Sequence, residues 1–459
     1  MSIGNSPVIQ AALTLAGEQI EQERKRRHVP GISAGVVYDQ ELIWTQGYGQ
    51  ANLDTGAAAD ANTIYRVASI SKLFTATMLM QLRDAGRLQL DDPVEKYLPE
   101  FKVSSPFVDA RPLTFRQLVS HGSGLTREGG HTGWQSMDMP TIETLLELAS
   151  QAEMRLPTMT EPKYSNLAIA ILGHALQRIA GMPYTTWINE RIIGPLGMTS
   201  SGFDRAALAQ DKFAQGYHRD EARQPFPSKH WDEQGFKPAG GLYSTVNDIA
   251  RFMSLQFREG LAGGAQVLGS STLREMHQPI IVTPDFESGY GVGWGIRRQT
   301  GYKVIGHSGG LPGYTTNITL VPPLKLGVII FTNYGTAPVE ITNVALETLI
   351  PVFKRTLAAQ EGPADNPTLG GWQRYLGRYK GNSADDFVNI EIVDDALMVT
   401  TLGTVQSTFV RLVPQGEHVF KMRGGAGTAD FATFEVNETG EVTGLWLGAY
   451  PYTRAKAAT

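Results

Sequence analysis

From Leu73 to Leu82 the chain is apolar apart from a few small polar residues and Gln81. A helix written this way has no polar face to give to water, so other elements must enclose it. Gly86 supplies a stop, and the spacing predicts a helix from about Ser69 to Ala85. At its head stands Ser69-Ile70-Ser71-Lys72. Positions i and i+3 share a helix face, which brings the Lys72 amine within reach of the Ser69 hydroxyl. Unpaired N–H groups and the dipole at a helix N-terminus favour negative charge and oppose positive charge. Burial also disfavours the charged form of a lysine. A serine that needs a base, beside a lysine able to become one, makes an activated nucleophile. The competing reading is a lysine that snorkels from an apolar helix to the surface. Against it, no other lysine in the chain has a serine three residues before it, and a surface lysine is out of place at the mouth of a buried helix.

Around that helix the sequence changes period. Ile9 to Arg27 reads as an amphipathic helix ending in a solvated charged run, Glu21 to Arg27. Ile32 to Tyr38 and Leu42 to Tyr48 read as a hairpin about Asp39-Gln40-Glu41. From Leu88 to about Met253 the pattern is mostly helical. Asp91-Asp92-Pro93 opens a short helix, and Phe115 to Ser120, Ile142 to Ala149, Leu167 to Ile179, Tyr184 to Ile193 and Val246 to Phe257 carry helical spacing. The long loops Gly122 to Gly133 and Arg223 to Gly241 are expected to be cleft walls. Strands are expected at Tyr290 to Ile296, Tyr302 to Gly306, Tyr314 to Val321 and Leu326 to Thr332, then a helix from Glu340 to Leu357. Gln360 to Pro367 reads as a linker, and the strand-like runs from Val388 to Trp446 as a small antiparallel barrel or curled sheet. At 459 residues the chain is too long for one ordinary compact domain. The expected division is a first domain at residues 1–358 with a helical insertion at about 88–255, a linker at 359–371 and a β unit at 372–459.

A formal net charge of -5 argues against a nucleic-acid surface. The absence of cysteine removes disulfides, thiolate chemistry and cysteine–zinc sites. The nine histidines are scattered, with no H-E-x-x-H, so no metal or other cofactor is expected. No stretch has the apolar length of a membrane span. Met1 to Ala16 lacks the basic start and long apolar run of a signal peptide. The expectation is a cytoplasmic protein.

Two further triplets lie downstream. Tyr164-Ser165-Asn166 stands just before the helix expected from Leu167. On one reading Ser165 or Asn166 caps that helix. On the other, Tyr164 is a phenol in the site and Asn166 an amide that meets a substrate carbonyl. His307-Ser308-Gly309-Gly310 ends a predicted strand and leads into Leu311-Pro312-Gly313. It is either a plain turn or a strand edge whose backbone receives a substrate, with glycines allowing close approach. Gly306 to Gly310 also matches G-x-S-x-G, but a nucleophile elbow passes from strand into helix and is followed by its acid and histidine. Here a turn and a strand follow, and the only later histidine is His418 in the C-terminal unit.

Taken together, Ser69-x-x-Lys72, Tyr164-x-Asn166 and His307-x-Gly309, in that order, resemble the serine β-lactamase and penicillin-binding-protein superfamily, in its class C, D-peptidase and esterase branch. The related class A set is S-x-x-K, S-D-N and K-T-G. Thr63 to Ala68, Leu90 to Val94 and Leu118 to Leu125 also resemble this branch, and the likeness covers about residues 5–355. The resemblance implies an α+β fold in which an antiparallel sheet packs on helices, with an inserted helical domain and a cleft between. It implies Ser69 as the acylated nucleophile and Lys72 with Tyr164 as its base system, leaving open which takes the proton first. It implies the N–H groups of Ser69 and Gly310 as an oxyanion hole, Asn166 as the group that orients the substrate, and His307 and Gly309 as its strand edge. The chain departs from the pattern at His307, where lactamases and carboxypeptidases usually carry lysine. Lysine is a fixed cation for a substrate carboxylate, whereas histidine is largely neutral at pH 7. Peptidase, amidase or esterase action is therefore expected over efficient β-lactam hydrolysis. The alternatives are a β-lactamase or penicillin-binding D,D-peptidase, and a non-catalytic binding protein that keeps the cleft. Some relatives carry a lipocalin-like barrel after this domain, where it would shape the cleft or an oligomer interface. The expected partner is a small-molecule ester, amide or peptide substrate, with a homo-oligomer left open and neither nucleic acid nor membrane.

Overall fold

The computed structural model describes residues 3–130, 136–151, 153–221, 224–259, 266–360, 369–383, 386–393, 396–402, 407–424 and 430–455. Parts of three expected features lie outside the described residues: 131–133 of the loop from Gly122, Arg223 of the loop to Gly241, and 361–367 of the linker. Two compact units divide the chain, Met1–Thr356 and Leu357–Thr459.

The first unit is built on an eight-stranded sheet. Its strands are β1 (Gly31–Tyr38), β2 (Glu41–Gly49), β3 (Ile281–Val282), β4 (Ser288–Tyr290), β5 (Gly295–Gln299), β6 (Tyr302–Leu311), β7 (Tyr314–Val321) and β8 (Leu326–Thr332). They lie in the order β2-β1-β8-β7-β6-β5-β4-β3, and every pairing is antiparallel. The N-terminal hairpin thus pairs with the last strand, Ala34 opposite Ile330. β1 and β8 are buried along almost their whole length, as strands covered by helices on both faces are.

The long helices of this unit are α1 (Pro7–Arg26), α2 (Ser71–Asp84), α3 (Asn166–Ala180), α4 (Val246–Leu255) and α5 (Pro338–Gln360). Alternation along β1 assigns them to faces. A Cβ on Gly35 would lie 2.6 Å from Cγ1 of Val246, so α4 covers the face of the odd-numbered residues. Tyr38 packs its ring 5.7 Å from that of Phe353, which puts α5 on the other face. α4 therefore lies on the sheet, although the spacing had placed it within the helical insertion. On the α4 side, α2 has eleven of its fourteen residues buried, and Phe74 stacks on Phe252 with ring centroids 4.3 Å apart.

Two strand expectations differ from the structure. Tyr290 to Ile296 is not one strand: it is the end of β4, a turn and the start of β5. Gly293 takes a left-handed φ of 79° there, Gly291 N–H donates to Trp294 O at 2.8 Å, and Trp294 is fully buried. The apolar run is thus a turn held by a core tryptophan. Conversely, β6 does not stop at Gly306 but continues through His307 to Leu311, so only Pro312 and Gly313 form the turn.

The second unit is a closed barrel of β9 (Gly377–Lys380), β10 (Phe387–Val393), β11 (Ala396–Leu402), β12 (Ser407–Gly416), β13 (Val419–Arg423), β14 (Phe431–Val436), β15 (Val442–Leu447) and β16 (Tyr450–Arg454). The strands follow one another in sequence order and β9 closes on β16, an up-and-down topology that leaves no free edge. Alternate residues such as Val388 and Ile390 point inward and join Tyr375, Tyr379, Phe420 and Phe434 in a core of their own.

Candidate active site

Ser69 sits in a 3-10 turn, Ala68–Ile70, immediately ahead of α2. Several bonds hold this turn. Val67 N–H donates to Leu242 O at 3.0 Å, and Thr316 Oγ1 of β7 donates to Val67 O at 3.0 Å. Ser71 Oγ donates to Ala68 O at 2.6 Å and accepts from Leu242 N–H at 3.0 Å. Ala68 is left-handed, with φ of 52°. A residue with a side chain pays about 1–3 kcal/mol for such a conformation and keeps it only where its surroundings over-determine it. Gly309 is one of those surroundings. A Cβ there would overlap both Val67 O and Thr316 Oγ1, so glycine lets β6 press against the serine turn. Gly310, by contrast, faces open space.

Lys72 is 1% exposed. Its Nζ lies 3.0 Å from Ser69 Oγ and donates to Ala239 O at 2.7 Å. Burial pulls the amine from 10.5 down to about 7, opposed by the charge of Glu128 and assisted by that of Arg127. At neutral pH a substantial fraction of this lysine is therefore an unprotonated amine beside a hydroxyl. Tyr164 completes the group: its hydroxyl interacts with the Ser69 side chain, and its ring centroid is 5.1 Å from Lys72 Nζ. Burial raises the Tyr164 pKa, so its phenol stays protonated at neutral pH.

The capping reading of the second triplet holds, on one residue of the three. Ser165 is the N-cap of α3, its Oγ accepting from Ala168 N–H at 2.9 Å. Asn166 is the first helical residue and turns its Nδ2 to Glu128 Oε1 at 2.7 Å. Behind Tyr164 packs His121, with ring centroids 4.3 Å apart, and Tyr290 meets His121 edge-on at 4.9 Å. Ser165 N–H donates to His121 Nδ1 at 3.3 Å, which ties the second triplet to the Leu118 to Leu125 stretch.

His307 is 7% exposed. Its Nδ1 donates to Ser308 O at 2.7 Å, while Nε2 is buried without a partner. Its ring centroid is 6.1 Å from that of Tyr164. Burial, then the charge of Lys72, holds the imidazole down to about 3. The third motif therefore presents a neutral ring.

The elements converge on a cleft of about 960 Å³. β5 pairs with β6 only as far as Gly306, and the cleft opens along the free edge of β6 from His307 to Leu311. Six of the seven residues singled out in the sequence line it: Ser69, Tyr164, Asn166, His307, Gly309 and Gly310. Lys72 lies beneath Ser69. Arg127, Glu128, Tyr290 and Arg297 also line the cleft and were not singled out. Arg127 and Glu128 lie in the loop from Gly122 that loop length had marked as a wall. Tyr290 and Arg297 carried no signal, since strands as short as β4 and β5 show no usable period. Arg297 donates to Gln299 Oε1 at 2.5 Å and to Asn343 Oδ1 at 2.9 Å.

Fold and site together define a class: a mixed α/β cleft protein whose serine and lysine meet at the head of an enclosed helix, against the free edge of an antiparallel sheet. Comparison with known proteins gives the family. The Beta-lactamase family profile matches residues 18–347. "Beta-lactamase-like protein 2" of Dictyostelium discoideum is 31% identical over 418 residues, which are 88% of this chain and 74% of that protein. The chain belongs to the Beta-lactamase family, in the serine β-lactamase and penicillin-binding-protein superfamily. The octameric penicillin-binding protein homologue from Pyrococcus abyssi shares the fold over 96% of this chain and 99% of that one, with a TM-score of 0.63 at 24% identity. D-amino acid amidase from Ochrobactrum anthropi, solved with D-phenylalanine, shares it over 74% and 99%, with a TM-score of 0.63 at 23% identity.

Proposed function

We propose that this protein is a serine hydrolase that cleaves an ester, amide or peptide bond through an acyl-enzyme on Ser69. The observation that carries the reading is the Lys72 amine, buried, 3.0 Å from Ser69 Oγ and shifted to about 7. Neutral Lys72 takes the Ser69 proton as Oγ attacks the carbonyl carbon. The C–O bond from Oγ forms, and negative charge develops on the carbonyl oxygen, where the N–H groups of Ser69 and Gly310 receive it. Tyr164, protonated and beside Ser69, passes a proton to the departing alcohol or amine, and Lys72 restores it. Water then attacks the acyl-enzyme by the same path, releasing the acid and free Ser69. Asn166, with its Nδ2 engaged by Glu128, offers Oδ1 to a substrate N–H. The chemistry is assigned to residues 1–358 and none to the barrel.

The neutral ring of His307 favours substrates without a carboxylate at that edge over penicillins. A D-amino acid amidase among the proteins of like fold makes D-amino acid amides and short D-peptides the first substrates to try. The octameric homologue motivates a homo-oligomer, which sedimentation would read. The chemical test is a fluorophosphonate probe followed by peptide mapping, with esters, D- and L-peptides and a chromogenic cephalosporin assayed side by side. The probe mass should fall on the peptide containing Ser69 and vanish in Ser69→Ala. Labelling that survives that substitution, or maps to Ser308, sinks the assignment.

A further inference from the structure

Away from the cleft, the strand that leads into the serine turn carries a buried arginine that the chemistry above does not use. Arg66 is 2% exposed. Its guanidinium lies 4.0 Å over the Trp231 ring, and Nη2 pairs with Glu233. Nη1 is buried with no hydrogen-bond partner, and so is Nε1 of Trp231 beneath it. Buried donors left unmet cost about 1–3 kcal/mol each, more when charged.

Arg66 lines a pocket of about 110 Å³, open to solvent, that shares no lining residue with the cleft of Ser69. Arg205, Lys229 and His230 line it with Arg66, together with the amide side chains of Asn52, Gln210 and Gln215. Among the described residues, no aspartate or glutamate is on its wall. Of the acids nearby, Glu233 pairs with Arg66 itself, Asp232 with Lys237 at 2.9 Å, and Asp204 accepts from Ala206 N–H at 2.9 Å. Arg205 instead lies 4.5 Å over the Phe213 ring. Two arginines and a lysine thus line one small space, and of them Arg66 is paired with a carboxylate, that of Glu233. Such a space calls for a group that only accepts hydrogen bonds and carries more than one negative charge.

We propose that this pocket is a binding site for a small doubly charged oxyanion of the phosphate or sulfate type. The anion bridges Arg66 to Arg205, with Lys229 at the mouth.

The test titrates the full chain, in a buffer free of both ions, with sodium sulfate and with inorganic phosphate, followed by calorimetry and by the thermal midpoint. Sodium chloride at matched ionic strength and sodium acetate are the controls. Saturable binding at a single site, with a raised midpoint, is expected for sulfate and phosphate. Arg205→Gln should weaken it by about tenfold or more, since a charge-assisted bond is worth ~1.5–3 kcal/mol, and Lys229→Gln should weaken it less. Both side chains reach the surface, so these variants test the site even if Arg66→Lys fails to fold. The proposal is overturned if neither anion binds saturably, if acetate binds as well as sulfate, or if Arg205→Gln leaves the affinity unchanged, which would mean an adventitious ion only.

Discussion

On the proposed mechanism Lys72 and Tyr164 act on one proton, and groups that share a proton path give losses that do not multiply. Lys72→Ala and Tyr164→Phe are each expected to lower kcat by on the order of 10² or more, as acid–base groups do. The double variant should lose little beyond the worse single one. A double loss equal to the product of the two would make the residues independent. Because the Lys72 amine titrates near 7, kcat/KM should rise with pH through about 7 and then level off, and Lys72→Ala should erase that limb. His307 sets a second prediction. With its ring neutral, the native protein should turn over a neutral ester faster than nitrocefin. His307→Lys restores a cation at the strand edge and should shift the ratio of kcat/KM toward nitrocefin by about tenfold, the worth of one charge-assisted bond. The gain is limited by the cost of a second buried cation near Lys72. Equal native rates on ester and nitrocefin would overturn the ranking. Arg297 also lines the cleft as a fixed cation, so whatever activity there is on carboxylate-bearing substrates should fall selectively in Arg297→Ala.

At the scale of elements, the site depends on how closely β6 approaches the serine turn. Gly309 is where that approach is decided, because a Cβ there meets the Val67 carbonyl of the backbone as well as the Thr316 hydroxyl. Gly309→Ala is expected to push the strand off the turn and lower kcat by about 10², since misplacing reacting groups by an ångström costs that much. Gly310→Ala, facing open space, should fold normally and label with the probe. Equal activity in the two alanine variants would show that the packing of β6 on the turn does not matter. The sequence signalled glycines for close approach. It did not say that the approach of Gly309 is to Val67 and Thr316 rather than to a substrate, because that depends on which strand lies beside the turn.

At the scale of the molecule, several histidines are buried neutral. Burial holds His174 to about 4 and His277 and His307 to about 3, and pushes His121 well below 6.5. Between those values and 6.5 the unfolded chain binds protons that the folded chain refuses, so stability falls as pH drops through that window. Lys72 acts in the same direction at higher pH. Its folded value near 7 lies below the ordinary 10.5, so stability rises with pH between the two. The midpoint of urea unfolding should therefore climb from about pH 3 to 6.5 and again above 7. His277→Gln should flatten the first rise and Lys72→Met the second. An acid limb as steep in His277→Gln as in the parent protein would remove that histidine from the account.

Much of this protein was legible along the chain, because the signals were local. An apolar run with Ser69 and Lys72 at its head specifies an enclosed helix and a hydroxyl–amine pair whatever surrounds them. The apolar runs of β1, β2, β7 and β8 and most strands of the barrel were readable for the same reason. Other features depended on partners distant in sequence. The pairing of β1 with β8, the turn inside Tyr290 to Ile296 and the place of α4 on the sheet follow from core packing, in which Trp294, Val246 and Met253 find their neighbours. The chemistry divides along the same line. Spacing singled out Ser69 and Lys72, and the resemblance of the three triplets to a known family added Tyr164, Asn166 and His307, but a pKa depends on burial and on charges brought from elsewhere. Only the tertiary structure sank Lys72 beside Ala239 O, left His307 neutral, and carried Arg127, Glu128 and Arg297 to the same cleft.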